Sequence, residues 1–146
     1  MFDTNIFNEI LDQEIDITSI TNASLYVTHI QLNEIQSTKR EERRNQLLQT
    51  FHEVDKEAIA TESAVWDVSE WGNAKWGSEN NLYQPILKRL GELNKKKKNN
   101  TQDALIAETA IVNNQILVTN DKDLQDVISE FGGKVIDLST FMSSSA

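Results

Sequence analysis

Residues 115–119, QILVT, place three large apolar residues in a row between polar ends, and no other stretch constrains the fold as much. A strand with one wet face alternates apolar and polar residues, whereas a continuous apolar run suits a strand covered on both faces. Strands of that kind belong to parallel sheets, whose crossover helices provide the cover. The following sequence agrees. Residues 121–130 read as a helix, Gly132 and Gly133 as a turn, and residues 134–138, KVIDL, as a closing strand.

The same alternation extends towards the N-terminus. Residues 1–4 read as short and extended, with a helix starting within 6–11. Residues 24–30, with LYVTHI at their centre, are rich in β-branched and aromatic residues and read as a strand that includes His29. From Gln31 the pattern turns helical, through Leu32, Ile35, Leu47, Leu48 and Phe51. It continues as helix over 50–64, with Val54, Ala58 and Ile59 inward. Residues 65–81 are irregular and hold Trp66, Trp71 and Trp76. A short amphipathic helix over 82–93 contains the only proline, and the lysines 95–98 with Asn99 and Asn100 break it. Thr101 then reads as the N-cap of a helix over 102–112, which Asn113 and Asn114 end. Strands alternating with helices predict one α/β domain over residues 1–146, a sandwich with a mainly parallel sheet.

Composition narrows the chemistry. With no cysteine there is no disulfide framework, no thiolate zinc site and no Cys nucleophile. His29 and His52 have no spacing that reads as a metal pair. No apolar run approaches the roughly 20 residues of a membrane helix, and no secretory signal is visible, so the expected location is the cytoplasm. The net charge of −9 argues against a polyanion binder. Its distribution softens that argument: Lys39, Arg40, Arg43 and Arg44 form one basic group, and Lys88, Arg89 and lysines 95–98 another. Arg40, Arg43 and Arg44 are spaced to share a helix face, where they would contact RNA or pair with Glu41 or Asp55.

The acids carry the sharpest signal. In a parallel α/β sheet, ligands gather at the carboxyl ends of strands. Asp3 follows the first strand, Asp121 follows QILVT with Asp123 two residues on, and Glu34 falls in the first turn of the helix after LYVTHI. Asp103 opens its own helix, where the dipole favours a carboxylate. Carboxylates drawn together repel and raise one another's pKa, and Mg²⁺ or Mn²⁺ is the usual remedy. Such a cluster suits phosphodiester hydrolysis without a covalent nucleophile. The plainer reading of Asp3, Asp103 or Asp121, each taken singly, is a turn or cap residue, and Glu34 alone reads as a solvated helix residue. Glu108 lies about 140° around its helix from Asp103 and reads as surface.

Taken together, Asp3-Thr4-Asn5-Ile6, Glu34 in VTHIQLNEI, Asp103 in TQDALIAETA, and Asp121 with Asp123 in LVTNDKDL resemble the PIN domain, and most closely the toxins of VapBC-type pairs. KVIDLSTFM is similar to the family's last strand and final turn. The resemblance implies a three-layer α/β/α sandwich and a Mg²⁺- or Mn²⁺-dependent endoribonuclease. It also implies a homodimer and a cognate antitoxin whose tail enters the acidic groove. Carried over by position, Asp3, Glu34 and Asp103 would be the core metal ligands. Asp121 would be the fourth acid, with Asp123 beside it as supporting or alternate ligand. Thr4 and Asn5 would orient Asp3, and Thr119 would hydrogen-bond within the site. The tryptophan-bearing segment is longer than the family's.

Two other classes compete. A catalytically inactive PIN-like module would bind RNA or a protein partner, but it has no need for a full acid set. The other is a different acid-site phosphohydrolase or receiver domain: a haloacid-type phosphatase would want an Asp at position 5, where this chain has Asn, and no glycine-rich phosphate loop is present.

Overall fold

The apolar run of 115–119 forms β3 (Ile116–Val118), the middle one of three parallel segments. On one side it pairs with β4 (Lys134–Ile136), in the register Ile116 to Lys134, Leu117 to Val135 and Val118 to Ile136. On the other, Phe2 bridges Val118 in parallel. The Val118 N–H donates to the Met1 carbonyl at 2.8 Å, and the Asp3 N–H donates to the Val118 carbonyl at 3.0 Å. The computed structural model describes residues 1–17, 23–54, 56–61, 82–95 and 100–144. Trp66, Trp71 and Trp76, Asp55 and lysines 96–98 lie outside them.

Successive strand residues point to opposite faces, and the core divides accordingly. Met1 and Leu117 join one apolar cluster, with α4 (Tyr83–Leu93), α5 (Asn100–Val112) and α6 (Lys122–Glu130). Phe2 and Val118 join the other, with α1 (Thr4–Asp12), α3 (Glu41–Glu53) and α7 (Leu138–Ser144). Phe2 meets Phe7 and Phe141 edge to face, with ring centroids 5.8 and 5.3 Å apart. α2 (His29–Gln36) contributes Ile30 to the first cluster and Ile35 to the second. The result is a helix-rich α/β fold with short parallel strands. Among the described residues these strands make two separate two-stranded sheets rather than one continuous sheet.

The second sheet corrects two expectations. β1 (Leu25–Val27) is shorter than the strand read over 24–30 and ends where α2 begins, so His29 is helical. Thr28 and Gln31 cap α2 reciprocally, and this local bonding overrides the β propensity of the sequence. Glu34 is thereby moved from the first turn to the second. The helix read over 50–64 stops at Glu53, and β2 (Lys56–Ala58) follows, pairing in parallel with β1. Ala58 is exposed instead of inward.

Smaller shifts occur elsewhere. α1 starts at Thr4, directly after Asp3. α5 starts at Asn100, so Thr101 lies inside its first turn instead of capping it. The closing strand ends at Ile136, because the Asp137 side chain accepts the Thr140 N–H at 2.7 Å and starts α7. Glu108 is no surface residue. It is 0% exposed, within a run of eight buried residues on α5, Asp103 to Ala110. A helix covered on all sides gives no solvent face to an acid. Glu108 Oε2 instead accepts the backbone N–H groups of Leu82 and Tyr83, each at 2.8 Å, capping α4 from another helix.

Candidate functional site

Asp3 occupies the N-cap position of α1, where an aspartate ordinarily accepts the helix's first amides. It makes no such bond. Its side chain is 3% exposed, and Oδ2 accepts the Thr119 hydroxyl at 2.9 Å. The cap reading of Asp3 therefore fails on geometry, and the carboxylate faces the end of β3. The same Thr119 Oγ1 accepts the Asp121 N–H at 3.1 Å, so Asp3 and Asp121 share one hydroxyl as intermediary.

Asp121 does serve as a cap. Its Oδ1 accepts the N–H groups of Asp123 and Leu124 at 3.0 and 3.2 Å, opening α6. Asp123 points to the end of α4, where Asn94 Nδ2 donates to its Oδ2 at 3.4 Å. Glu34 is half-buried, and its Oε1 accepts the Thr4 hydroxyl at 2.9 Å. Asp103 is 2% exposed in the first turn of α5.

Asp3, Thr4, Glu34, Thr119 and Asp121 thus belong to one connected neighbourhood, joined through two threonine hydroxyls and the backbone between residues 3 and 4. Asn5 is exposed. Asp3, Glu34, Asp103 and Asp121 all offer hard oxygen donors, the ligand type Mg²⁺ and Mn²⁺ prefer. By donor chemistry the set fits such an ion. Among the described residues, however, no three acidic or histidine side chains already form a group that could hold one.

The basic group on α3 is turned to other work. Arg43 donates to Asp12 Oδ1 at 2.7 Å and to Asn8 Oδ1 at 2.9 Å, tying α3 to α1. Arg44 donates to the Thr38 carbonyl at 3.1 Å. Among the described residues Arg43 pairs with Asp12 and not with Glu41, and the other expected partner, Asp55, lies outside them. Arg40 stands exposed at the start of α3.

Sequence reasoning passed over Gln31, which is fully buried between α2 and the N-terminal segment. The signal was present: Thr28-x-x-Gln31 has the spacing of a reciprocal cap. Gln125, whose amide donates to the Thr119 carbonyl at 2.7 Å, left no comparable mark.

A family model covers part of this arrangement. Residues 78–129 match the PIN domain. The match takes in α4, α5, β3 and nearly all of α6, with Asp103, Thr119, Asp121 and Asp123, and it supports a PIN-domain protein and a nuclease in general. Asp3 and Glu34 lie outside the matched PIN segment; Asp3 reaches it through Thr119, and Glu34 bonds to Thr4, next to Asp3. No curated protein and no solved structure matches the chain. No helix among the described residues is long and apolar enough to cross a membrane.

Proposed function

We propose that this chain is a Mg²⁺- or Mn²⁺-dependent endoribonuclease, acting in the cytoplasm as the toxin of a toxin–antitoxin pair. One observation carries the nuclease reading: a buried aspartate at an N-cap position declines to cap and turns to Thr119, inside the segment that matches the PIN domain. The motif resemblance supports the toxin role, the antitoxin and the homodimer.

Asp3, Glu34, Asp103 and Asp121 would hold the ion, with Asp123 beside them. Bound there, Mg²⁺ or Mn²⁺ would polarise the phosphodiester oxygens, lower the pKa of an attacking water and offset charge on the leaving oxygen. The protein's own part is orientation. Thr119 and Thr4 fix the rotamers of Asp3 and Glu34. Capping by Asp121 holds its carboxylate at the end of β3. Arg40 would meet the RNA backbone, while Arg43 and Arg44 would do so only by sharing donors with Asp12, Asn8 and Thr38.

The inactive-module reading is favoured by a different observation, the lack of a three-acid group among the described residues. Replacing Asp3 and Asp103 together by Asn separates the two. Metal catalysis of this kind is worth several kcal/mol, so the double variant should cut RNA roughly a thousandfold more slowly with Mn²⁺. Equal rates for variant and wild type would remove the assigned site. Calorimetry in which wild type binds no divalent ion would favour the module.

A further inference from the structure

A buried primary amide is tolerated only where protein hydrogen bonds replace those lost from water. Gln31, 0% exposed, meets that condition in a particular way. Its Oε1 accepts the Thr28 N–H at 2.9 Å and the Thr28 hydroxyl at 2.7 Å. Its Nε2 donates to the Phe2 carbonyl at 2.9 Å. The orientation of the amide follows from its partners: a backbone N–H can only donate and a carbonyl can only accept.

The two bonds to Thr28 are local and close the start of α2. The bond to Phe2 joins positions 29 residues apart. It reaches the residue just before Asp3, while Glu34, one turn beyond Gln31 on α2, accepts from Thr4, just after Asp3. Asp3 is therefore bracketed by two bonds from a single helix face, at spacing i and i+3. On Asp3's other side, its own N–H is held by the Val118 carbonyl at 3.0 Å. We propose that Gln31 is a positioning residue that sets the separation of Asp3 and Glu34 through the Phe2 carbonyl. The inference rests on the metal-site reading above and names a residue that neither the resemblance nor the family match assigns. Its amide is buried and taken up by Thr28 and Phe2, so its role is to position, not to bind.

The test uses the full chain and Mn²⁺ alone. Gln31→Met keeps the length of the side chain but loses every hydrogen bond. Thr28→Ala removes the α2 cap but leaves the bond from Gln31 to Phe2. Mn²⁺ affinity is read by calorimetry and by the electron paramagnetic resonance of free Mn²⁺, and stability by urea titration. Gln31→Met should weaken Mn²⁺ binding about 10- to 100-fold, the range for residues that orient metal ligands. Thr28→Ala, also destabilised, should stay close to wild type. Unchanged affinity in Gln31→Met overturns the inference, and so does equal weakening in both variants. Should Gln31→Met not fold, Gln31→Asn keeps an amide for Thr28 but is one methylene too short for Phe2. It must show the same weakening. Wild type that binds no Mn²⁺ overturns the metal-site reading and this inference with it, whereas intact binding in the Gln31 variants overturns this inference alone.

Discussion

Asp3 and Asp121 both stand just before a helix, and their side chains take opposite courses. Asp121 accepts two amides of α6, whereas Asp3 leaves those of α1 and bonds to Thr119. Local sequence cannot separate the two cases, since Asp is a favoured N-cap at either position. The Thr119 hydroxyl, 116 residues from Asp3, decides. The double duty of Asp121 is separable by substitution. Asp121→Asn keeps a cap of equal quality, so its urea midpoint should stay near wild type while Mn²⁺-dependent cleavage falls. Asp121→Ala should lose activity and also about 1 kcal/mol of stability. If Asp121→Asn retains full activity, Asp121 is a cap alone. Glu108 teaches the same lesson in reverse: an acid in a helical pattern reads as solvated, yet two amides of α4 draw it into the core.

At the scale of elements, the second half of the chain was the more legible. Helices over 82–93, 102–112 and 121–130 and the strand at 115–119 appear within one or two residues of their expected bounds, because apolar periodicity is strong in the first and last of these helices and Asn or Gly marks the ends. The region after Phe51 was misread because a three-residue edge strand, KEA, has no alternation to reveal it. Its partner β1, not its own sequence, makes it a strand. The α7 start shows how one acid ends a strand and opens a helix. Hydrogen bonds from Thr140, its hydroxyl first and then its N–H, hold the Asp137 pKa below 3.8. The folded state thus binds this proton less tightly than the unfolded chain does, so the stabilisation is complete above the ordinary Asp range and is lost as pH falls through and below 3.8. Thermal midpoints of wild type and Asp137→Ala should differ at pH 7 and converge as pH falls below the ordinary Asp range. A constant gap across that range would rule out the carboxylate as its cause.

For the molecule as a whole, the candidate ligands come from separate parts of the chain: Asp3 and Glu34 from the N-terminal third, Asp103 and Asp121 from the matched PIN segment. An ion held by both parts binds only the folded state. At a hundred times its Kd it would therefore stabilise folding by about 2.7 kcal/mol, a rise in Tm of roughly 5–10 °C for a domain of this size. Differential scanning calorimetry with and without Mn²⁺ should show that rise in wild type and lose it in the Asp3→Asn, Asp103→Asn double variant. An equal shift in both proteins would place any bound Mn²⁺ elsewhere.

What this sequence determined by itself was local in origin: the strand within 115–119, although Ile116 is exposed rather than covered, the helices around it, and the acids at the ends of those elements. Periodicity and capping act over a few residues, so they are visible in a short window. The tertiary structure alone decided which acid would cap and which would be turned inward, that Glu108 would be buried, and that Gln31 would reach Phe2. Those outcomes depend on hydrogen bonds between residues 25 to 116 positions apart, and a buried polar group takes whichever partner the packed chain brings within reach.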